Sequence, residues 1–131
     1  METSNGTPRK KHVLIVDDDI ELAWSLKAAL ESKGCEATIV PDGALALKFL
    51  LEHRTDAVVC DLHASRVEGD LLCATLERSY PVLARRFVFL VKPDDYSQFQ
   101  KFIDSVEQPV LRKPLVVEAL VNEVARAVER E

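Results

Sequence analysis

Five short apolar runs recur along the chain, and within each the residues are apolar in succession instead of alternating with polar ones. They are His12–Val16 (HVLIV), 37–40 (ATIV), 57–60 (AVVC), Phe87–Val91 (FVFLV) and 110–111 (VL). Strands that read this way are covered on both faces, as in a parallel sheet lying under helices. The stretches between them have helical spacing. Leu22, Leu26, Ala29 and Leu30 share one face, with Asp19 placed as N-cap and Gly34 just past the end. Asp42 caps a second helix carrying Leu45, Phe49 and Leu50. Leu71, Leu72, Thr75 and Leu76 line a third, ended before Pro81. Tyr96, Phe99, Phe102, Ile103 and Val106 line a fourth. Val117, Leu120, Val121, Val124 and Val128 line a fifth, with Pro114 near its first turn.

A strand-helix unit repeated five times implies parallel strands joined by right-handed crossovers, with helices on both faces. Five strands of this kind most often take the flavodoxin-like order 2-1-3-4-5, a (βα)5 three-layer sandwich of the α/β class. Residues 1–11 are polar, contain Gly6 and Pro8, and read as a flexible leader to a single domain over 12–131. A chain of 131 residues with 47% apolar and 30% charged residues builds its core without staples. No apolar run approaches the ~20 residues of a membrane span, and the opening METSNGTPRKK lacks the apolar centre of a secretory signal. The net charge of -5 disfavours direct nucleic-acid binding. Cys35, Cys60 and Cys73 are odd in number and widely spaced, which suits free thiols in a cytoplasmic setting.

In an open α/β sheet ligands bind beyond the carboxyl ends of the strands. Strand 1 is followed by Asp17, Asp18 and Asp19, strand 3 by Asp61, strand 4 by Lys92 to Asp94, and strand 5 by Arg112 and Lys113. Clustered carboxylates raise the cost of ionising one another unless a cation sits among them. Mg²⁺, which takes few carboxylates and several waters, supplies that cation, and a lysine adds a mobile point charge. These are the parts needed to place a phosphoryl group on an aspartate. A lone aspartate after a strand is ordinarily a helix cap; opposite charges converging from three strand ends are a rarer coincidence.

These residues resemble the receiver domain of two-component response regulators, over about Lys11 to Val128. The anchors are VLIVDDD (Val13 to Asp19), VVCDL (Val58 to Leu62), Gly69 and LRKP (Leu111 to Pro114). The resemblance implies that Asp61 is the phosphoacceptor and that Asp17 and Asp18 are the acidic pair, Asp18 the direct Mg²⁺ ligand and Asp17 acting mainly through water. It also implies that the backbone carbonyl of His63 is a third protein ligand, and that Lys113 is the family's lysine before a cis-bonded Pro114. Asp61 and Lys113 are 52 residues apart, room for two helix-strand units, whereas Lys92 is only 31 from Asp61, which rules out Lys92-Pro93 as the family's Lys-Pro pair. Two positions depart from the pattern. The Ser or Thr that ends strand 4 in the family is Val91 here, and the aromatic switch residue of strand 5 is Val110. Neither valine donates a hydrogen bond, so the usual coupled movement of those side chains is unavailable. Lys92 replaces a small residue, and Ser65 stands where proline is common.

The resemblance implies a non-enzyme that promotes only its own phosphorylation and dephosphorylation. Its expected partners are a histidine kinase or phosphotransfer protein and a downstream protein or output domain. A homodimer through the fourth helix, fifth strand and fifth helix is a further expectation. The last helix leaves no room for an output domain, so the chain is expected to dock to another protein or to be one module of a longer regulator. The first alternative is a pseudo-receiver, a binding module independent of phosphorylation, favoured by Val91 and Val110. A second is an aspartate-nucleophile phosphatase, suggested by Asp17-Asp18-Asp19 and disfavoured by Glu21 and the lack of a cap. His12 and His53 are read as surface or strand-edge residues, Cys60 as a packing residue, Trp24 as a packing residue of the first helix or a partial surface anchor, and Arg9 to Lys11 as a short solvated run.

Overall fold

The inner strands carry Val, Ile, Leu and Phe on both faces because both faces are covered. In a computed structural model, which describes residues 9–131, β1 (His12–Val16), β2 (Glu36–Val40), β3 (Ala57–Asp61), β4 (Phe87–Val91) and β5 (Val110–Arg112) form one parallel sheet in the order β2-β1-β3-β4-β5. The register sets Val16 beside Cys60 and Asp61 beside Leu90, so the strands finish at a common rim. The helices are α1 (Ile20–Ser32), α2 (Gly43–Glu52), α3 (Gly69–Glu77), α4 (Pro81–Ala84), α5 (Gln100–Ser105) and α6 (Val117–Ala127). This is the doubly wound architecture expected from the apolar runs.

The sheet separates two cores. Leu14, Val58 and Phe89 face one, closed by Ala46, Leu50, Leu72 and Leu76 from α2 and α3. Val13, Ile15, Val59 and Leu90 face the other, closed by Leu26 and Leu30 of α1 and by Leu120 and Val124 of α6. Each fully buried aliphatic side chain stabilises the fold by ~1.5–3 kcal/mol. Asp19 and Asp42 cap α1 and α2 as expected, accepting from the Leu22 and Leu45 N–H groups. Gly34 follows α1 with φ +93°, the left-handed conformation that ends helices.

Several details differ from the sequence reading. The buried stripe of α2 is Gly43, Ala46 and Leu50, and Leu45 is exposed. In α3 it is Gly69, Leu72, Cys73 and Leu76, with Leu71 and Thr75 outside. The glycines set both stripes. A Cβ on Gly43 would lie 1.9 Å from the Val67 carbonyl oxygen, and one on Gly69 would lie 2.9 Å from that of Asp61. Pro81 opens the short α4 instead of only ending its predecessor. The fourth expected helix shrinks to the six residues of α5, preceded by a 3-10 turn at Pro93–Asp95 and long, poorly helical bonds such as Phe99 N–H to Asp95 O at 3.3 Å. Tyr96 is instead held beneath the Arg112 guanidinium, 3.8 Å from its ring centroid. Pro114 lies ahead of α6, whose first residue is Val117.

Of the expected leader, residues 1–8 lie outside the described residues. Arg9 is more than a solvated charge: it lies 3.2 Å from both carboxylate oxygens of the buried Asp56, which also accepts the His12 N–H at 2.8 Å. The Lys11 carbonyl accepts from the Glu36 N–H. No described helix is long and apolar enough to cross a membrane.

Candidate functional site

The site grows out of the ends of β1, β3 and β5. Strand β1 lies between β2 and β3 and is buried, so the residue that follows it starts inside the protein. Asp17 is 1% exposed, and its Oδ1 accepts the Asp19 N–H at 2.9 Å, the side-chain turn by which aspartate redirects a chain from strand to helix. Asp61 closes β3, is 3% exposed, and accepts the His63 N–H on Oδ1 at 2.8 Å. The Lys113 N–H donates to the Val91 carbonyl, which fastens the residue after β5 to the end of β4. The peptide bond to Pro114 is cis, as the resemblance implies. From there the Lys113 ammonium donates to Asp17 Oδ2 at 2.8 Å and to Asp61 Oδ2 at 2.7 Å.

One buried ammonium thus serves two buried carboxylates. Burial pushes the Asp17 carboxyl above the usual range; the Lys113 ammonium and the Asp19 N–H offset part of the rise, and the Asp61 charge adds to it. Burial also works to lower Lys113, but the two carboxylates outweigh it and raise the ammonium above the ordinary lysine range. The two shifts differ in cause: burial dominates at Asp17, and the two carboxylate partners dominate at Lys113.

The other expected residues lie around this trio. Asp18 is exposed at the rim, outside the lysine bridge. Val91 is 1% exposed at the end of β4, and Val110 is half-buried against the core on the α2–α3 side. Lys92 is exposed. His63 has its side chain half exposed, with Nδ1 3.2 Å from Asp95 Oδ1 and its ring tilted against Phe99. Of the residues assigned bland roles, His12 Nε2 meets Thr38 Oγ1 at 2.9 Å, His53 stacks on Phe49, and Cys60 is buried with its thiol pushed well up. Trp24 is 58% exposed, which fits the surface alternative of its two readings and not core packing. Sequence reasoning missed the pairing of Asp95 with His63. The available signal was that Asp95 also follows a strand at the carboxyl rim.

Among the described residues no three His, Cys, Asp or Glu side chains form a ready-made metal cage. Mg²⁺ does not require one, because it keeps several waters and takes one or two carboxylates. Asp17, Asp18 and Asp61 with Lys113 carry a net formal charge of two negatives, and all the donors are hard oxygens. The residues fit a hard divalent ion.

A doubly wound sheet with a lysine-bridged pair of buried acids at its carboxyl rim defines an α/β domain with an acidic pocket. The family model of the response regulator receiver domain matches residues 13–125, and the chain belongs to that family. Response regulator MprA of Mycobacterium sp. (strain KMS) is 29% identical over 121 residues, covering 90% of this chain and 50% of that protein. Transcriptional regulatory protein PrrA of Mycobacterium tuberculosis (strain ATCC 25618 / H37Rv) is 39% identical over 69 residues, 53% of this chain and 28% of that protein. The chain spans about half the length of the MprA relatives it matches. A putative response regulator from Chloroflexus aurantiacus J-10-fl superposes with a TM-score of 0.79 at 26% identity, over 93% of this chain and all of that one. The Francisella response regulator 1452 receiver domain, at 23% identity, shares the fold with a TM-score of 0.77 over 92% of this chain and 98% of its own. Receiver domains are generally not enzymes and generally bind Mg²⁺ at the acidic pocket.

Proposed function

We propose that this domain takes a phosphoryl group onto Asp61 from a histidine kinase or phosphotransfer protein, in the cytoplasm, and relays the change to a downstream protein or output domain. The observation that carries the reading is the Lys113 bridge between buried Asp17 and Asp61. In the transfer an Asp61 carboxylate oxygen bonds to phosphorus. The bond from phosphorus to the donor's imidazole nitrogen breaks, and that nitrogen keeps the electron pair. Lys113 already stands at Asp61 Oδ2, where its charge offsets the charge on the transferred oxygens. Asp17, Asp18, Asp61 and the His63 carbonyl would hold Mg²⁺, which supplies further neutralisation of those oxygens. Hydrolysis of the acyl phosphate returns the carboxylate. Val91 and Val110 replace the hydroxyl and aromatic ring of the usual switch, so the rearrangement is non-standard. The face of α5, β5 and α6 is the surface for a partner or a second copy, and direct nucleic-acid binding is not part of the reading.

The buried, hydroxyl-free end of β4 at Val91 favours a second reading, a binding module independent of phosphorylation. Intact mass after treatment with acetyl phosphate, with and without Mg²⁺ and beside Asp61→Asn, separates the two. The acceptor reading expects one phosphoryl adduct that requires Mg²⁺ and is absent from the variant. No adduct from acetyl phosphate or from a phosphorylated phosphotransfer protein would leave the binding module.

A further inference from the structure

His63 joins the loop after β3 to the turn after β4. Its N–H donates to Asp61 Oδ1 at 2.8 Å, so the placement of its backbone and the orientation of the Asp61 carboxylate move together. Its ring reaches the other way, with Nδ1 3.2 Å from Oδ1 of Asp95. Asp95 is costly as a structural residue. Its second oxygen, Oδ2, is buried without a hydrogen-bond partner, and it is the only such side-chain atom among the described residues. An unsatisfied buried polar group costs about 1–3 kcal/mol, and more when it is charged. A three-residue turn has no need of that cost for its own stability, and a buried group left unsatisfied calls for another explanation.

We propose that Asp95 is a positioning residue of the acceptor site: acting through His63, it holds the Asp61 carboxylate in the orientation that attacks phosphorus. The proposal rests on the acceptor reading above. It gives this chain a link between the acceptor loop and the segment after β4, at the level where Val91 supplies no hydroxyl. Residues in contact that work as a unit have non-additive effects, which separates positioning from ordinary structural support.

The test measures the rate of adduct formation from acetyl phosphate with Mg²⁺ for the full chain, His63→Ala, Asp95→Ala and the double variant, together with thermal midpoints. Each single variant should slow formation by about fivefold or more, and the double variant should be no slower than His63→Ala. The midpoint of Asp95→Ala should equal or exceed that of the parent, because the unpartnered oxygen leaves with the side chain. A lowered midpoint, an unchanged rate in Asp95→Ala, or an Asp95 effect that persists in the His63→Ala background would overturn the proposal. A parent chain that forms no adduct from acetyl phosphate or from a phosphorylated phosphotransfer protein removes the acceptor reading. The tie itself is then judged on the His63 amide resonance of the unmodified protein: displacement by Asp95→Ala sustains it, and an unmoved resonance refutes it.

Discussion

Asp56 shows how a single buried carboxylate at the amino end of the sheet is made tolerable. Burial alone would raise its pKa, but the His12 N–H and the Arg9 guanidinium hold the carboxyl below its ordinary value. A lowered folded value means that Asp56 contributes stability above the unfolded carboxyl range, near pH 3.9, and that this contribution fades as pH falls through the folded value. Asp56→Asn should therefore lower stability by about 1–3 kcal/mol at neutral pH, and the gap should close in acid below about pH 4. Urea midpoints of both proteins across the acid range check this, and a gap that stays constant to about pH 2 would remove the carboxylate from the account. Asp17 has the opposite sign: its raised value makes the ionised form a cost to the fold, although the residue sits in the acidic pocket. Two buried aspartates at opposite ends of the same sheet differ because burial is outweighed by the His12 N–H and the Arg9 guanidinium at Asp56, whereas at Asp17 it outweighs the Lys113 ammonium and the Asp19 N–H.

Among the elements, α3 is the one whose seating bears directly on the pocket. Gly69 lies so close to β3 that a Cβ would stand 2.9 Å from the Asp61 carbonyl oxygen and 3.1 Å from Cys60 Sγ and Leu62 Cα. Gly69→Ala must lift α3 or push the end of β3, at a cost of about 1–3 kcal/mol, and the displaced backbone is the one that carries Asp61. Both the urea midpoint and the rate of adduct formation should fall. Gly34→Ala is the control, since it meets nothing within 4 Å and strains only a positive φ at the far end of α1. It should lower stability by about 1 kcal/mol and leave the rate alone. A site rate unaffected by Gly69→Ala would show that the seating of α3 is irrelevant to the pocket. The strands were legible in the sequence because burial on both faces writes itself as continuous apolar runs. Which stripe of α2 or α3 turns inward was not, because Leu45 and Leu71 fit the helical period as well as Ala46 and Leu72 do, and the choice falls to the close approach of Gly43 to Val67 and of Gly69 to the end of β3. The shortened α5 was illegible for a similar reason: Tyr96 has helical spacing with Phe99, but its ring is claimed by Arg112 of another strand.

At the scale of the whole molecule, the sheet divides one short chain into two cores that barely share atoms. Val58 packs with the α2–α3 side and Val59 with the α1–α6 side, although they are consecutive residues. Val58→Ala and Val59→Ala should each cost roughly 1–3 kcal/mol, and in the double variant the costs should add to within about 0.5 kcal/mol despite the adjacency. A coupling well beyond that would mean that the sheet bends as a unit and that the cores are not independent. The converging carboxylates and lysine were readable from their places after strands, whereas the His63–Asp95 contact depends on side-chain directions that spacing does not carry. The pocket also draws on the full span of the fold. Lys113 meets Asp17 across 96 residues of chain and Asp61 across 52. During synthesis the two acids leave the ribosome long before the ammonium that reconciles them. The lysine bridge between them therefore cannot form until β5 has been delivered and docked. The pocket is thus assembled only in molecules whose sheet is complete.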